Sequence, residues 1–204
     1  MSVAYQIRTP RLLVRCWSPA DVTGLMCAIQ ASLDHLRRWL DWAGAEPADP
    51  QRKLKQIRRW RAGFDQGRDF AYGLFDPATE GVLGAVGLHG RIGAGAGEIG
   101  YWVHADHLRK GLATEAVAAI IRVAFEINGL DRLEIHCDPK NAPGAMIPRR
   151  LGFEHQVTVP GRVTGPDAKP RDTIIWTLKR QAFSASPAAS APVEAFDAAG
   201  GRLL

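Results

Sequence analysis

The chain has 204 residues, of which 46% are hydrophobic and 23% are charged. This length and composition predict one ordinary globular domain with a substantial core. No apolar run approaches the roughly 18 residues that a membrane span needs, and the N-terminal segment lacks the pattern of a signal peptide, so we expect a cytoplasmic protein. The net charge of +5 suits an anionic ligand but does not by itself indicate nucleic-acid binding.

The three cysteines are Cys16, Cys27 and Cys137, and they are widely spaced along the chain. None of them belongs to a CxxC motif or to a Cys/His spacing typical of zinc sites. We therefore expect three reduced, buried thiols and no metal.

The N-terminal third combines one strand with several helices. Leu12, Val14 and Cys16 share one face, as in a half-buried strand. Ser18-Pro-Ala-Asp21 has the chemistry of a helix start. The pattern then predicts two short helices, over residues 20–30 and 32–41, and a further helix that begins at Asp49-Pro50.

From Phe70 the pattern changes to strands separated by turn sequences, which predicts an antiparallel meander. A strand–helix–strand crossover follows, which implies one parallel pair in a mixed sheet. A short helix and two more strands close the domain. In chain order the expected elements from this point are strands 70–75, 82–89 and 98–104, helix 112–127, strand 132–137, helix 142–151, and strands 154–160 and 172–180.

The composition shifts near the C-terminus. Residues 184–192 contain only Ser, Ala and Pro, a bias that is typical of segments too poor in large apolar side chains to fold. We therefore predict a single domain over residues 1–181 and a disordered tail over residues 182–204.

The most informative stretch is residues 98–115, which predicts a strand, a short basic glycine turn and the first turn of a helix. Backbone N–H groups at a helix N-terminus, together with the positive end of the helix dipole, favour a phosphorylated ligand. Glu98, on the preceding strand, adds a carboxylate that could act as an acid or a base. One segment therefore offers both a phosphate site and a candidate for proton transfer.

Four landmarks in this order resemble the GCN5-related N-acetyltransferase (GNAT) superfamily, in the group of RimJ and RimL. They are the first strand with its Thr-Pro-Arg-Leu-Leu-Val-Arg opening, the strand Glu-Ile-Gly-Tyr-Trp, the loop Leu-Arg-Lys-Gly-Leu-Ala, and Asn141 followed by Leu-Gly-Phe153. The resemblance implies an α/β fold with a mixed, mostly antiparallel sheet of about seven strands. It also implies a V-shaped splay between the fourth and fifth strands, with helices flanking the sheet.

The same resemblance implies acetyl-CoA, or another acyl-CoA, as co-substrate. Its pantetheine arm would lie in the splay, its pyrophosphate would sit on the loop amides, and Asn141 would contact the pantetheine. Arg149 and Arg150 could pair with the 3′-phosphate or simply be exposed at a helix end, where cations are favoured. The residues implied in cofactor binding are Tyr101, Trp102, Val103, Leu108, Arg109, Lys110, Gly111, Leu112, Ala113, Thr114, Asn141 and Arg149.

The chain departs from the family pattern at three positions. Leu108 replaces a Gln or Arg at the start of the loop, which matters little if main-chain amides bind the phosphates. Gly144 and Pro148 stand where related enzymes carry a serine or a tyrosine that can protonate the departing thiolate. If the protein is an enzyme, water or another side chain does this, or the thiolate leaves unassisted.

Acyl transfer to an amine needs a neutral nucleophile, so a base is expected near the thioester. Glu98 is the first candidate and His136 the second, with an ordinary salt bridge as the alternative for Glu98. His89, at a strand end, could assist or contact the acceptor. Trp39 and Trp42 are candidates for the acceptor pocket, as the resemblance implies, although aromatic residues at such positions also serve as core.

The expected activity is direct transfer of an acetyl group from acetyl-CoA to a primary amine, with a protein N-terminus favoured. A small amine or aminoglycoside, a succinyl donor and a non-catalytic acyl-CoA-binding module stay open. Residues 51–61 hold six basic residues and no acid, which fits a solvated helix face or, through a ribosomal target, RNA. A homodimer is also open.

Overall fold

The computed structural model describes residues 2–165 and 169–204, and within them one nine-stranded sheet organises the chain. The strands, from one edge to the other, run in the order β7-β8-β6-β5-β4-β3-β2-β1-β9. Their bounds in chain order are β1 Gln6–Arg8, β2 Leu13–Cys16, β3 Asp69–Phe75, β4 Val82–His89, β5 Ala96–Val103, β6 Arg132–Cys137, β7 Glu154–Thr164, β8 Pro170–Lys179 and β9 Glu194–Phe196.

Five α-helices flank the sheet in the described part of the chain. The third continues into a wider turn over Val123–Ile127, and short 3-10 turns precede the first two helices, follow β5 and precede β9. The α-helices are α1 Val22–Leu36, α2 Pro50–Asp65, α3 Leu112–Arg122, α4 Ala142–Arg150 and α5 Arg180–Phe183.

The sheet opens between β5 and β6. These two strands are parallel and pair only from Ala96↔Arg132 to Glu98↔Glu134, whereas β5 continues to Val103. All other neighbouring strands pair in the antiparallel direction. Beyond Glu98 the β6-facing edge of β5 therefore has no strand partner among the described residues. The expected mixed sheet with a splay between the fourth and fifth predicted strands is confirmed.

The two faces of the sheet carry different helices. Helix α3 buries an almost continuous apolar surface, including Ala116 and Ile120, against one face. Helices α1 and α2 cover the other face, where Leu25 and Ile57 pack against Trp17. Alternation along β5 sends Glu98, Gly100 and Trp102 toward the α1/α2 face and Ile99 toward the α3 face.

Several predicted element boundaries are wrong. Residues 22–36 form one helix rather than two short ones, because the apolar positions Leu25, Ile29, Leu33 and Leu36 continue at helical spacing without a breaker. The sheet has nine strands rather than about seven. The two unforeseen strands, β1 and β9, are only three residues long and carry too short a pattern to recognise.

The expectation of a disordered C-terminal tail is also wrong. Strand β9 pairs with β1 in an antiparallel register, and the side chains of Ala188 and Ala195 are completely buried. The hydroxyl of Ser186 donates to the carbonyl of Leu151 at 2.7 Å. Small residues leave little periodic signal in the sequence, yet they fit closely where the tail crosses α3.

No helix in residues 2–165 and 169–204 combines the length and the apolarity that crossing a bilayer requires.

Candidate functional site

A cavity of about 490 Å³ opens at the splay on the α1/α2 face. It is bounded by the diverging ends of β5 and β6, by α4, by the 3-10 turn after α1 and by the β7–β8 hairpin. The predicted site residues that line it are Trp39, Trp42, His89, Glu98, Tyr101, Trp102, His136 and Asn141. The structure thus brings together the candidate catalytic residues, the candidate acceptor residues and part of the expected cofactor contacts.

The loop that follows β5 leads into the N-terminus of α3. Arg109 and Gly111 both adopt a positive φ, of 61° and 80°, which turns the chain tightly into the helix. Gly111 is the N-cap and provides no side-chain cap, so the N–H groups of the first turn have no acceptor from within the helix. These donors, the helix dipole and the adjacent Lys110 form a site suited to a diphosphate.

A clamp made by Thr9, Arg11 and Glu115 holds this loop. The Glu115 carboxylate accepts from the Thr9 hydroxyl at 2.6 Å, from the Arg11 backbone N–H at 2.9 Å and from Arg11 Nε at 2.6 Å. Arg11 Nη1 also donates to the carbonyl of Lys110 at 2.7 Å. The Thr-Pro-Arg opening thereby fixes the main chain of the loop and offsets the negative charge of Glu115.

Glu98 is buried at the point where β5 and β6 part, and Arg91 binds both of its oxygens. Arg91 Nε and Nη2 donate to Glu98 at 2.8 and 2.6 Å. Burial alone would raise the pKa of Glu98, but the hydrogen bonds from Arg91 and the nearby charges of His136, Arg91 and His89 outweigh it and lower that pKa. The carboxylate is therefore ionised at neutral pH and is a weak base.

His136 lies between two carboxylates. Its Nε2 is 2.8 Å from Glu134 Oε2, and its Nδ1 is 3.6 Å from Glu98 Oε2. Arg132 Nε is 3.0 Å from the other oxygen of Glu134. The imidazole is thus oriented by the carboxylate of Glu134 on its own strand, and it lies between Glu98 and the Glu134–Arg132 ion pair.

His89 forms a second dyad, with Asp69. Its Nδ1 is 2.6 Å from Asp69 Oδ1, which leaves Nε2 as the nitrogen available to the cavity. The ring lies across Gly87, where a methyl group on the α-carbon would come within 2.3 Å of Nε2, and a methyl group on Gly100 would lie 3.8 Å from the same nitrogen. Nε2 therefore faces the first β5 residues beyond the last β5–β6 pair.

Aromatic side chains form the wall on the α1/α2 side. The rings of Trp42 and Trp102 have centroids 6.3 Å apart, and Trp42 is 41% exposed. Across the opening, Arg171 of β8 donates to the carbonyl of Arg38 at 2.7 Å. This contact ties β8 to the segment that follows α1 and closes the rim of the cavity on this side.

Helix α4 faces the open end of β5. Asn141 is its N-cap and accepts from the Gly144 backbone N–H at 3.1 Å. The Tyr101 hydroxyl donates to the carbonyl of Gly144 at 2.9 Å. Burial, and then the nearby Cys137, raise the pKa of Tyr101 well above its usual range.

Other predicted residues lie outside the cavity. Val103 ends β5, and its carbonyl is 3.1 Å from His35 Nε2. Residues 108–114 form the loop that follows β5 and the first turn of α3. Arg149 stands at the far end of α4, with its guanidinium 5.2 Å from the centre of the Trp176 ring, so the side chain is directed toward β8 rather than toward the splay.

Two residues that complete the site, Arg91 and Asp69, carry no signal that singles them out in the sequence. Arg91 belongs to a glycine-rich turn, and Asp69 lies at the first position of β3, so neither has a periodic context. Only the register of the folded sheet sets Asp69 opposite His89.

The three cysteines are free, as expected, but the expectation that all are buried is wrong: Cys16 and Cys137 are half-buried, and Cys27 is exposed because it lies on the outer side of α1. Among residues 2–165 and 169–204, no group of three or more His, Cys, Asp or Glu side chains is arranged to hold a metal ion.

The family model of the acetyltransferase (GNAT) domain matches residues 11–154. The chain is 29% identical to a putative ribosomal N-acetyltransferase, YdaF, of Bacillus subtilis over 70% of this chain and 77% of that protein. It is 27% identical to the ribosomal protein uS5-alanine N-acetyltransferase of Escherichia coli over 74% and 79%. The structure of Mycobacterium smegmatis RimJ with CoA-disulfide superposes with a TM-score of 0.78 at 22% identity, over 91% of each chain.

Proposed function

Because the chain belongs to the acetyltransferase (GNAT) domain family, we propose that it transfers the acetyl group of acetyl-CoA to the N-terminal α-amine of a protein. One observation supports this most strongly: the splay leads from the amide-rich N-terminus of α3 to a cavity lined by His89 and Glu98. The loop that could bind a diphosphate and the side chains that could accept a proton therefore border the same unpaired stretch of β5. The naming of two relatives for ribosomal substrates favours a ribosomal protein as acceptor.

The donor fits the splay through main-chain groups. The β6-facing edge of Tyr101–Val103 has no strand partner in the described part of the chain and can pair with the amides of pantetheine. The amides of Arg109–Thr114 can hold the pyrophosphate, with Arg109 and Lys110 adding charge. A backbone N–H near Trp102 can stabilise the oxyanion that forms at the thioester carbonyl.

The attacking amine must lose a proton as its nitrogen bonds to the carbonyl carbon and the C–S bond breaks. His89 is better arranged for this than Glu98, because Asp69 orients it and its Nε2 faces Gly100. Imidazole is suited to take a proton near neutral pH, whereas Arg91 reduces the basicity of Glu98. We assign the proton to His89 and assign to Glu98 the binding of the incoming ammonium group.

An α-amine suits this site better than a lysine. Its ordinary pKa is about 8, compared with about 10.4 for lysine, so far more of it is neutral near pH 7. The rim formed by Trp42, Trp102 and Arg171 is open toward solvent, which would admit an extended peptide. A small-amine acceptor or a longer acyl donor would use the same chemistry, so the experiment below must distinguish these substrates from acetyl-CoA and a protein N-terminus.

The test is a thiol-release screen with acetyl-CoA and succinyl-CoA against N-terminal peptides, aminoglycosides and polyamines. We expect release with acetyl-CoA and peptides, and the product's mass should place the acetyl group on the α-nitrogen. Gly111→Val is the matched control, since φ of 80° is strained for a β-branched residue, and it should lose CoA binding and release together.

Each other outcome has a definite meaning. Release with small amines alone would replace the proposed acceptor. Tight CoA binding without release from any amine would identify a non-catalytic acyl-CoA-binding module. A ribosomal acceptor would place the reaction in the cytoplasm.

A further inference from the structure

Helix α4 contains a proline that leaves one carbonyl without its helical donor. Pro148 lies inside the helix, four residues after Gly144. In an α-helix the carbonyl of residue 144 would accept from the N–H of residue 148, and proline has none. A carbonyl in this situation needs another partner unless it reaches water.

The missing donor comes from across the splay. The Tyr101 hydroxyl donates to the Gly144 carbonyl at 2.9 Å, although Tyr101 belongs to β5 and Gly144 to α4. Both residues line the cavity. The phenol therefore bridges the two walls between which the donor's pantetheine arm would lie. Its acceptor belongs to Gly144, the position where the resemblance implies a serine.

The phenol has the right protonation state for a hydrogen-bond donor. Burial raises the pKa of Tyr101 and also that of the neighbouring Cys137 thiol. Both groups therefore keep their protons at neutral pH, and neither competes with His89 as a base. Of the two, only the hydroxyl is a strong donor.

We propose that the Tyr101 hydroxyl stabilises the departing CoA thiolate, the role that Gly144 and Pro148 cannot fill. This inference rests on the proposed acetyl transfer. As the C–S bond of the tetrahedral intermediate breaks, its electron pair moves onto sulfur, and the phenol O–H turns from the neutral carbonyl to the anionic sulfur. Tyr101 keeps its proton, and the thiolate takes one from water after it leaves.

The change of acceptor is favourable because a hydrogen bond to an ion is roughly twice as strong as one between neutral groups. The Gly144 carbonyl serves as the resting partner that holds the hydroxyl at the splay before the reaction. Tyr101 is then a catalytic residue through its side chain, in addition to any main-chain contact that it makes with the donor.

The first experiment is Tyr101→Phe, assayed for thiol release with acetyl-CoA and a peptide that the wild-type protein acetylates. We expect kcat to fall on the order of 10²-fold, as for loss of one donor to a developing charge, while the Kd for CoA stays within about twofold. Tyr5→Phe is the matched control, because it removes a phenol hydroxyl that binds Asp65 outside the cavity.

The double variant Tyr101→Phe/Pro148→Ala separates catalysis from structure. Alanine at 148 restores an N–H for the Gly144 carbonyl, so a hydroxyl that served only to satisfy this carbonyl would no longer be needed. If the double variant stays slow, the proposal stands. Recovery of kcat in the double variant, or an undiminished kcat in Tyr101→Phe, would overturn it.

Fluorotyrosine at position 101 gives a readout that a structural role would not move. Fluorination makes the phenol more acidic and a stronger donor, so kcat should rise with phenol acidity along a series of fluorinated variants. A flat series would contradict the proposal. If the wild-type protein released no thiol with any amine, the proposed function itself would fail, independently of the variants.

Discussion

The guanidinium of Arg91 binds both carboxylate oxygens of Glu98, at 2.8 and 2.6 Å, where the sheet begins to open. Arg91 is 63% exposed at its side chain while that of Glu98 is 11% exposed. A solvent-facing cation thus covers a buried anion at the edge of the cavity. An incoming ammonium group can reach Glu98 by sharing it with Arg91, which suits a carboxylate that binds the acceptor rather than one that removes its proton.

This ion pair should make stability sensitive to acid. The pKa of Glu98 in the folded protein is below its ordinary value of 4.5, so its contribution is fully present above about pH 4.5 and is lost as pH falls through the lower, folded value. Urea unfolding at pH 7, 5, 4 and 3 should show a smaller loss for Glu98→Gln than for the wild type. Glu194→Gln, at an exposed pair with Arg202, should follow the wild type. Parallel curves for Glu98→Gln and the wild type would contradict the expectation.

His89→Asn should lower kcat by about 10²-fold or more, the usual contribution of a positioned base, and should leave the Kd for CoA unchanged. Asp69→Asn should have a smaller effect, since it removes the group that orients the ring. In the wild type, kcat measured from pH 5 to 9 should rise as the base loses its proton. His89→Asn should not show this rise. His155→Asn, on the exposed strand β7, is the control. A full rate in His89→Asn, with a large loss in Glu98→Gln, would transfer the role of base to Glu98.

Glu115→Gln should weaken CoA binding by about tenfold, although Glu115 makes no expected contact with the ligand. Its carboxylate holds Thr9 and Arg11, and Arg11 holds the Lys110 carbonyl; charged hydrogen bonds of this kind contribute about 1.5–3 kcal/mol. Isothermal titration calorimetry with CoA measures the change. Glu126→Gln, which removes a carboxylate paired with Arg122 farther along the same helical run, should bind CoA normally. Equal affinities in all three proteins would show that the clamp is dispensable.

A buried ion pair lies beside the wall of the cavity that carries Trp39 and Trp42. The Lys53 side chain is 1% exposed and donates to Glu46 and, at 2.9 Å, to Gln56. Glu46→Leu would leave this ammonium buried without its counter-charge, so the free energy of unfolding should fall by about 3–5 kcal/mol. Glu46→Leu/Lys53→Met should recover much of that loss. Chemical denaturation measures both. If the double variant were as unstable as the single one, the loss would come from packing rather than charge.

The sequence predicts the splay and the loop before α3 well because main-chain geometry forms them. A glycine at a helix start and the crossover between two strands leave clear signals, and the structure has the loop and the splay where residues 98–137 predict them. The polar groups of the cavity depend on side-chain pairs between distant segments. Asp69 meets His89, and Arg91 meets Glu98, only after strands and turns have taken their register, which no local pattern reveals.

Pro148 shows how a departure from a pattern can carry information. The sequence marks it only as a position that lacks a proton donor. In the structure the same proline frees the Gly144 carbonyl, and this carbonyl holds Tyr101. Which group donates to that carbonyl depends on the side chain that lies opposite it. Here it is Tyr101 of β5, which is 47 residues before Pro148 in the chain. The prediction of a disordered tail is wrong because the tail's alanines pack against a surface that exists only in the folded protein.

The C-terminal segment makes hydrogen bonds to α3 and to the residue that follows α4. Arg122 of α3 donates to the Ala191 carbonyl at 3.0 Å, and Ser186 donates to the Leu151 carbonyl directly after α4. If the protein binds CoA at the start of α3, we expect that binding to be linked to the ordering of the C-terminal segment. Amide protons of β9 should then exchange more slowly with CoA present than without it.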